Sequence, residues 1–110
     1  MEMIVLRRIN EKDIKGKVVR GLTGYVDAFD VISHSPTIGI RVVAPNSEVP
    51  ERVHAHPERQ VMYLISGEAM LTNRVSTIEL QPGDFAVLEP NEEHYLITRS
   101  GEAKLFEVKF

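Results

Sequence analysis

Gln60-Val61-Met62-Tyr63-Leu64-Ile65-Ser66-Gly67-Glu68-Ala69-Met70-Leu71-Thr72 holds two short apolar runs parted by Ser66-Gly67. Each is too brief for a typical helix, and the first is rich in the residues that suit a pleated surface. Positions 61–65 are apolar without alternation, so this strand needs cover on both faces, unlike one with a face in water. The same punctuation recurs outward in both directions, at Gly16, Gly21 with Gly24, Ser35-Pro36, Pro45-Asn46, Pro50, Pro57, Asn73, Pro82-Gly83, Pro90-Asn91 and Ser100-Gly101. Chains cut this way are all-β. Strands are expected near 3–8, 24–32, 37–44, 52–56, 60–65, 68–72, 75–80, 85–88, 94–98 and 103–110. A helical turn near 10–15 is expected from Asn10 as a cap.

Many short antiparallel strands in one small chain close as a sandwich or a barrel around a single interior, with a ligand site in the mouth. The length of 110 residues fits one domain, with 1–23 as an N-terminal strand and turn segment and 24–110 as the barrel. The second face of 61–65 is then covered by Phe106, Val108 and Phe110 of its own chain, or by the matching sheet of another subunit. A homodimer is expected.

Composition excludes several classes of function. A net charge of −3 argues against a nucleic-acid surface. The absence of cysteine removes disulfides, iron–sulfur sites and thiol nucleophiles, so any metal must be held by nitrogen and oxygen. No run approaches membrane-spanning length, and the first residues do not follow the order of a signal peptide, so the expected location is cytoplasmic with no membrane partner.

The chemistry concentrates in His54-Ala55-His56. Strand residues two apart project from one face, so this pair aims both imidazoles at one point and can grip a metal. Gln60, beyond Pro57, and His94, from a later segment, would complete three imidazole nitrogens and one amide oxygen, with Glu58 competing as the oxygen ligand. His34, in Ser33-His34-Ser35-Pro36, reads as part of a hairpin turn and receives no role.

The stretch His54-Ala55-His56-Pro57-Glu58-Arg59-Gln60, with Gly67 after it, resembles the first motif of the cupin superfamily. Pro82-Gly83-Asp84 followed by Glu89-Pro90-Asn91-Glu92-Glu93-His94 resembles the second. The resemblance covers 53–96 and implies a double-stranded β-helix, a jelly-roll barrel of two antiparallel sheets. It implies one divalent metal, such as Zn, Ni, Fe, Mn or Cu, on His54, His56, Gln60 and His94. Two positions depart from the pattern. Gln60 stands where Glu is commoner, and Glu92 or Asn91 stands where a glycine usually precedes the last histidine.

The first departure changes the electrostatics. Three neutral imidazoles and an amide leave a divalent ion its full charge of about +2, whereas a Glu ligand would leave about +1. Such a site favours an anionic small molecule and departs from the two-histidine, one-carboxylate set of non-haem iron oxygenases. The His-X-His-Pro-X-X-Gln form is similar to small cupins that open or isomerise unsaturated sugar acids. The expected function is Lewis-acid chemistry on such a substrate, with a metal-dependent dioxygenase and a non-catalytic ligand sensor as alternatives. Proton-handling candidates are Arg41, Tyr63, Glu51 and Glu107. Alternation in 105–110 turns either Phe106, Val108 and Phe110 or Leu105 and Glu107 inward, and the cost of burying a lone carboxylate favours the aromatic set.

Overall fold

The computed structural model describes residues 6–110, and for 52–54 the backbone alone. Its ten strands are β1 (Lys17–Arg20), β2 (Tyr25–Ser33), β3 (Thr37–Val43), β4 (Glu48–His54), β5 (Gln60–Ser66), β6 (Ala69–Thr72), β7 (Thr77–Leu80), β8 (Phe85–Leu88), β9 (His94–Ile97) and β10 (Ala103–Lys109). A single turn of 3-10 helix, Glu11–Asp13, precedes them, and the Asn10 side chain accepts from the Lys12 N–H as its cap. The fold is all-β, in two antiparallel sheets. The larger has the order β1-β2-β3-β10-β5-β8 and the smaller β4-β9-β6-β7.

The opening stretch supplies one strand to each sheet. β5 pairs with β10 and β8, whereas β6 pairs with β7 and β9. Gly67 makes the crossing at φ +84, where an added Cβ would overlap the Glu102 carbonyl oxygen. A glycine is required there on both counts. Returning from β7 to β8, the turn at 82–84 bonds back to β5 through Gly83 N–H to Leu64 O and Leu64 N–H to Asp84 O. That turn therefore ties the two sheets together at one end.

The core fills the space between the sheets. Val26, Val43, Met62, Leu64 and Leu105 from the larger sheet meet Val49, Leu71, Leu80 and Leu96 from the smaller. Leu64 and Leu105, directly opposite each other, are almost fully buried.

Some expected boundaries move. Residues 3–5 of the strand placed at 3–8 lie outside the described residues, and residues 6–8 carry no strand. β1 was not expected. β4 begins at Glu48 and runs through Pro50, which its position at the edge of the smaller sheet permits, since an edge strand has unpaired donors to spare. In β10 the outcome is the reverse of the burial argument: Leu105 and Glu107 are buried, while Phe106 and Phe110 are exposed. A partner for the carboxylate overturns the cost that had kept it out.

Candidate metal and substrate site

His56 follows β4 and is anchored by its backbone, whose carbonyl accepts from the Asn91 N–H at 2.7 Å. Asn91 takes φ +65, a left-handed conformation that asparagine tolerates better than most residues. The position where a glycine was expected is thus filled by the next best residue for that geometry. The turn folds against His56, and β9 leaves it with His94 paired opposite the backbone of His54.

The rings of His56 and His94 meet edge to face, with centroids 5.2 Å apart. Each is fixed from behind by a backbone carbonyl: His56 Nδ1 lies 3.0 Å from Glu58 O, and His94 Nδ1 lies 2.9 Å from Glu92 O. A carbonyl can only accept, so each Nδ1 donates. In the neutral imidazole the lone pair then falls on Nε2, the tautomer that ligating histidines adopt. Burial holds the His94 pKa below its ordinary value, against the opposing pull of the Glu92 carbonyl, which keeps this ring neutral at neutral pH.

Gln60, the first residue of β5, is 3% exposed. Its amide nitrogen donates to Glu107 Oε1, and its Oε1 faces His56 Nε2 at 2.8 Å; Oε1 accepts there when that nitrogen carries a proton, whereas in the neutral ring two lone pairs meet that a cation between them would reconcile. Glu58 is left outside this arrangement; its carboxylate lies 3.8 Å from the outward Nδ1 of His56. Two imidazoles and an amide oxygen therefore converge from β5, β9 and the end of β4. This donor set fits a divalent ion. The side chain of His54 lies outside the described residues, and among those described no cluster of three or more His, Cys, Asp or Glu side chains gathers at one point.

Behind Gln60 runs a line of charge. Glu107 Oε2 lies 3.0 Å from Arg41 Nε, and Arg41 Nη1 donates to Asp30 Oδ1 at 2.6 Å. Glu107 Oε2 is buried and, among the described residues, accepts no hydrogen bond; Arg41 compensates its charge without bonding geometry. Gly39 makes room for the line. It lies opposite both Asp30 and Glu107, and a Cβ there would overlap Asp30 Oδ1 and the Phe29 carbonyl.

Asp30, Arg41, Gln60, His94 and Glu107 line a cavity of about 330 Å³ between the sheets, with Val26, Met62 and Leu96 on its apolar walls. Of the proton-handling candidates, Arg41 and Glu107 line it. Tyr63 instead stacks on Phe85 outside, with ring centroids 4.7 Å apart, and Glu51 is exposed. Lys17, Asp30 and Lys109 also line the cavity and were not singled out beforehand. Asp30 carried one usable signal, an acidic residue in the middle of the apolar run 26–32.

A family model described as a cupin domain matches residues 39–109, well over half of the sequence. The chain belongs to the cupin family. No curated protein matches this cupin, but solved structures do. A predicted oxalate decarboxylase from Thermotoga maritima is similar at TM-score 0.83 and 16% identity, over 94% of this chain and 98% of that one. A polyketide cyclase from Streptomyces resistomycificus gives 0.80 and 21%, over 96% and 79%. A cupin sugar phosphate isomerase from Silicibacter pomeroyi gives 0.75 and 15%, over 94% and 74%. At these identities the likeness is one of fold. No helix among the described residues is long and apolar enough to cross a membrane.

Proposed function

We propose that this cupin is a metal-dependent enzyme that isomerises or ring-opens a small anionic molecule of the sugar-acid type. Convergence of His94 and Gln60 at the wall of a cation-rich cavity, with His56 against both, carries the proposal. His54, His56, Gln60 and His94 would hold one divalent transition ion. Bound there, the ion supplies Lewis acidity to a carbonyl or hydroxyl oxygen. Lys17, Arg41 and Lys109 line the cavity against Asp30 and Glu107, an excess of positive charge before any metal is counted. That excess attracts a carboxylate and holds it against the walls. Glu107 Oε2, charge-compensated yet accepting no hydrogen bond among the described residues, is the atom on which this chain receives a proton inside the cavity.

The proposed protomer pairs with a second copy through the outer face of the larger sheet. Cross-strand registers align Phe29, Ile40, Phe106, Tyr63 and Phe85 in one row, and Ile38, Val108, Val61 and Val87 in the next. The test of function is elemental analysis of protein purified without added metal, followed by assay against unsaturated and keto sugar acids. Stoichiometric metal with turnover supports the enzyme. Metal and ligand binding without turnover would replace it with a binding module, and absence of metal uptake would sink both.

A further inference from the structure

The geometry points to Glu107 as the positioning residue that makes the neutral Gln60 a metal ligand: the carboxylate missing from the donor set acts one hydrogen bond behind it. This inference rests on the proposed metal site and deepens it. A glutamine amide presents either its oxygen or its nitrogen to a neighbour, and only its partners decide which. An ionised Glu107 can only accept, so it takes the amide N–H and turns Oε1 towards His56. The other orientation would set oxygen against carboxylate in a buried place, which is costly, whereas the meeting of Oε1 with the Nε2 lone pair of a neutral His56 is relieved once a cation takes both. Donation to an anion also draws electron density onto Oε1, raising its basicity towards a cation.

Glu107 is itself locked. Its side chain is 8% exposed, Arg41 lies 3.0 Å from Oε2, and Asp30 lies 2.6 Å beyond. The series Asp30, Arg41, Glu107, Gln60 crosses four strands that neighbour one another in the sheet, β2, β3, β10 and β5. Its charges alternate and end on an amide oxygen aimed at the imidazoles. The site thereby keeps the net charge of an all-neutral donor set while its oxygen ligand is polarised from behind.

Three variants and three measurements test this. Titration of the metal-free protein with Zn2+ and Ni2+ in a calorimeter should show Glu107→Gln weakening affinity about 10–100-fold, the range for lost outer partners. Gln60→Glu alone should lower the melting temperature of the metal-free protein, since two carboxylates then meet in a buried place. The exchange variant Gln60→Glu/Glu107→Gln should recover both melting temperature and affinity, because the pair is restored with its members reversed. A purely structural role for Glu107 predicts instead that Glu107→Gln loses melting temperature while its metal affinity stays within threefold of the parent. Affinity of Glu107→Gln within threefold of the parent, or an exchange variant no better than Glu107→Gln, overturns the inference. Should the parent bind no metal, the proposed function fails on its own, and the Gln60 side-chain amide protons decide the orientation. Expected is a downfield shift that disappears in Glu107→Gln; an unshifted parent signal overturns the inference as well.

Discussion

Gln60 and His94 are placed by different means, and their substitutions should differ accordingly. His94 comes from β9, opposite the backbone of His54, with Nδ1 bonded to Glu92 O. If the proposed site is right, His94→Ala removes a ligand outright and should reduce metal affinity by more than the roughly 100-fold that a lost outer partner costs. Metal content after gel filtration checks this; full retention would rule out the four-ligand site. Gly39 carries a second prediction, although it touches no ligand. Gly39→Ala drives a methyl into Asp30 Oδ1 and the Phe29 backbone, and should cost about 1–3 kcal/mol in urea unfolding while loosening Arg41. That His56, His94 and Gln60 would come together was legible because their spacing carries the information; the His54 side chain lies outside the described residues. Asp30 and Gly39 were not, since their roles depend on the register of β2 against β3, which no local pattern encodes.

Turns and strand ends were the most legible elements, because Gly, Pro and Asn impose backbone angles wherever they stand. Asn91 shows the limit of that reading. Sequence left Asn91 and Glu92 as alternatives for the glycine-like position, and the positive φ belongs to Asn91. Asn91→Gly should be neutral within a few tenths of a kcal/mol, whereas Asn91→Val should cost about 1–3 kcal/mol in thermal unfolding, since a β-branched residue is strained there. Because the Asn91 N–H also holds His56 O, the valine variant should bind metal more weakly. β10 was misread for a different reason. Its alternation admits two orientations, and choosing between them requires knowing that Arg41 waits across the sheet. β1 escaped notice because Lys17-Val18-Val19-Arg20 exposes nearly all it has; of its residues only Val19 is half-buried, packed against the core.

At the scale of the whole molecule, the larger sheet is greasy on both sides. Outside, Phe85 is 67% exposed, Val87 56%, Phe110 58% and Phe106 40%. Aromatic side chains present about 150–250 Å² each, so with their aliphatic neighbours the uncovered area reaches several hundred Å². That exceeds what a monomer usually leaves in one patch and approaches the ~800 Å² per partner of a stable pair. A two-fold axis through this face would bury like against like. Sedimentation equilibrium at tens of micromolar should therefore give a dimer, and Phe85→Glu, on the edge strand β8, should give a monomer with an unchanged far-ultraviolet spectrum. A monomeric parent would end the dimer proposal. The sequence hinted at this much through the unbroken apolar run 61–65, whose second face needed a cover from somewhere.

The place of β10 in the strand order also makes the site depend on a distant pairing. It comes last in sequence among the described strands, yet it lies in the middle of the larger sheet, between β3 and β5. Until it inserts, those two strands present open edges that invite pairing with other chains, and their own union waits on contacts distant along the chain. The same strand brings Glu107 to Gln60. In the proposed site the amide oxygen is therefore aimed only once β10 has joined β5, so competence for metal would depend on a pairing between segments some forty residues apart.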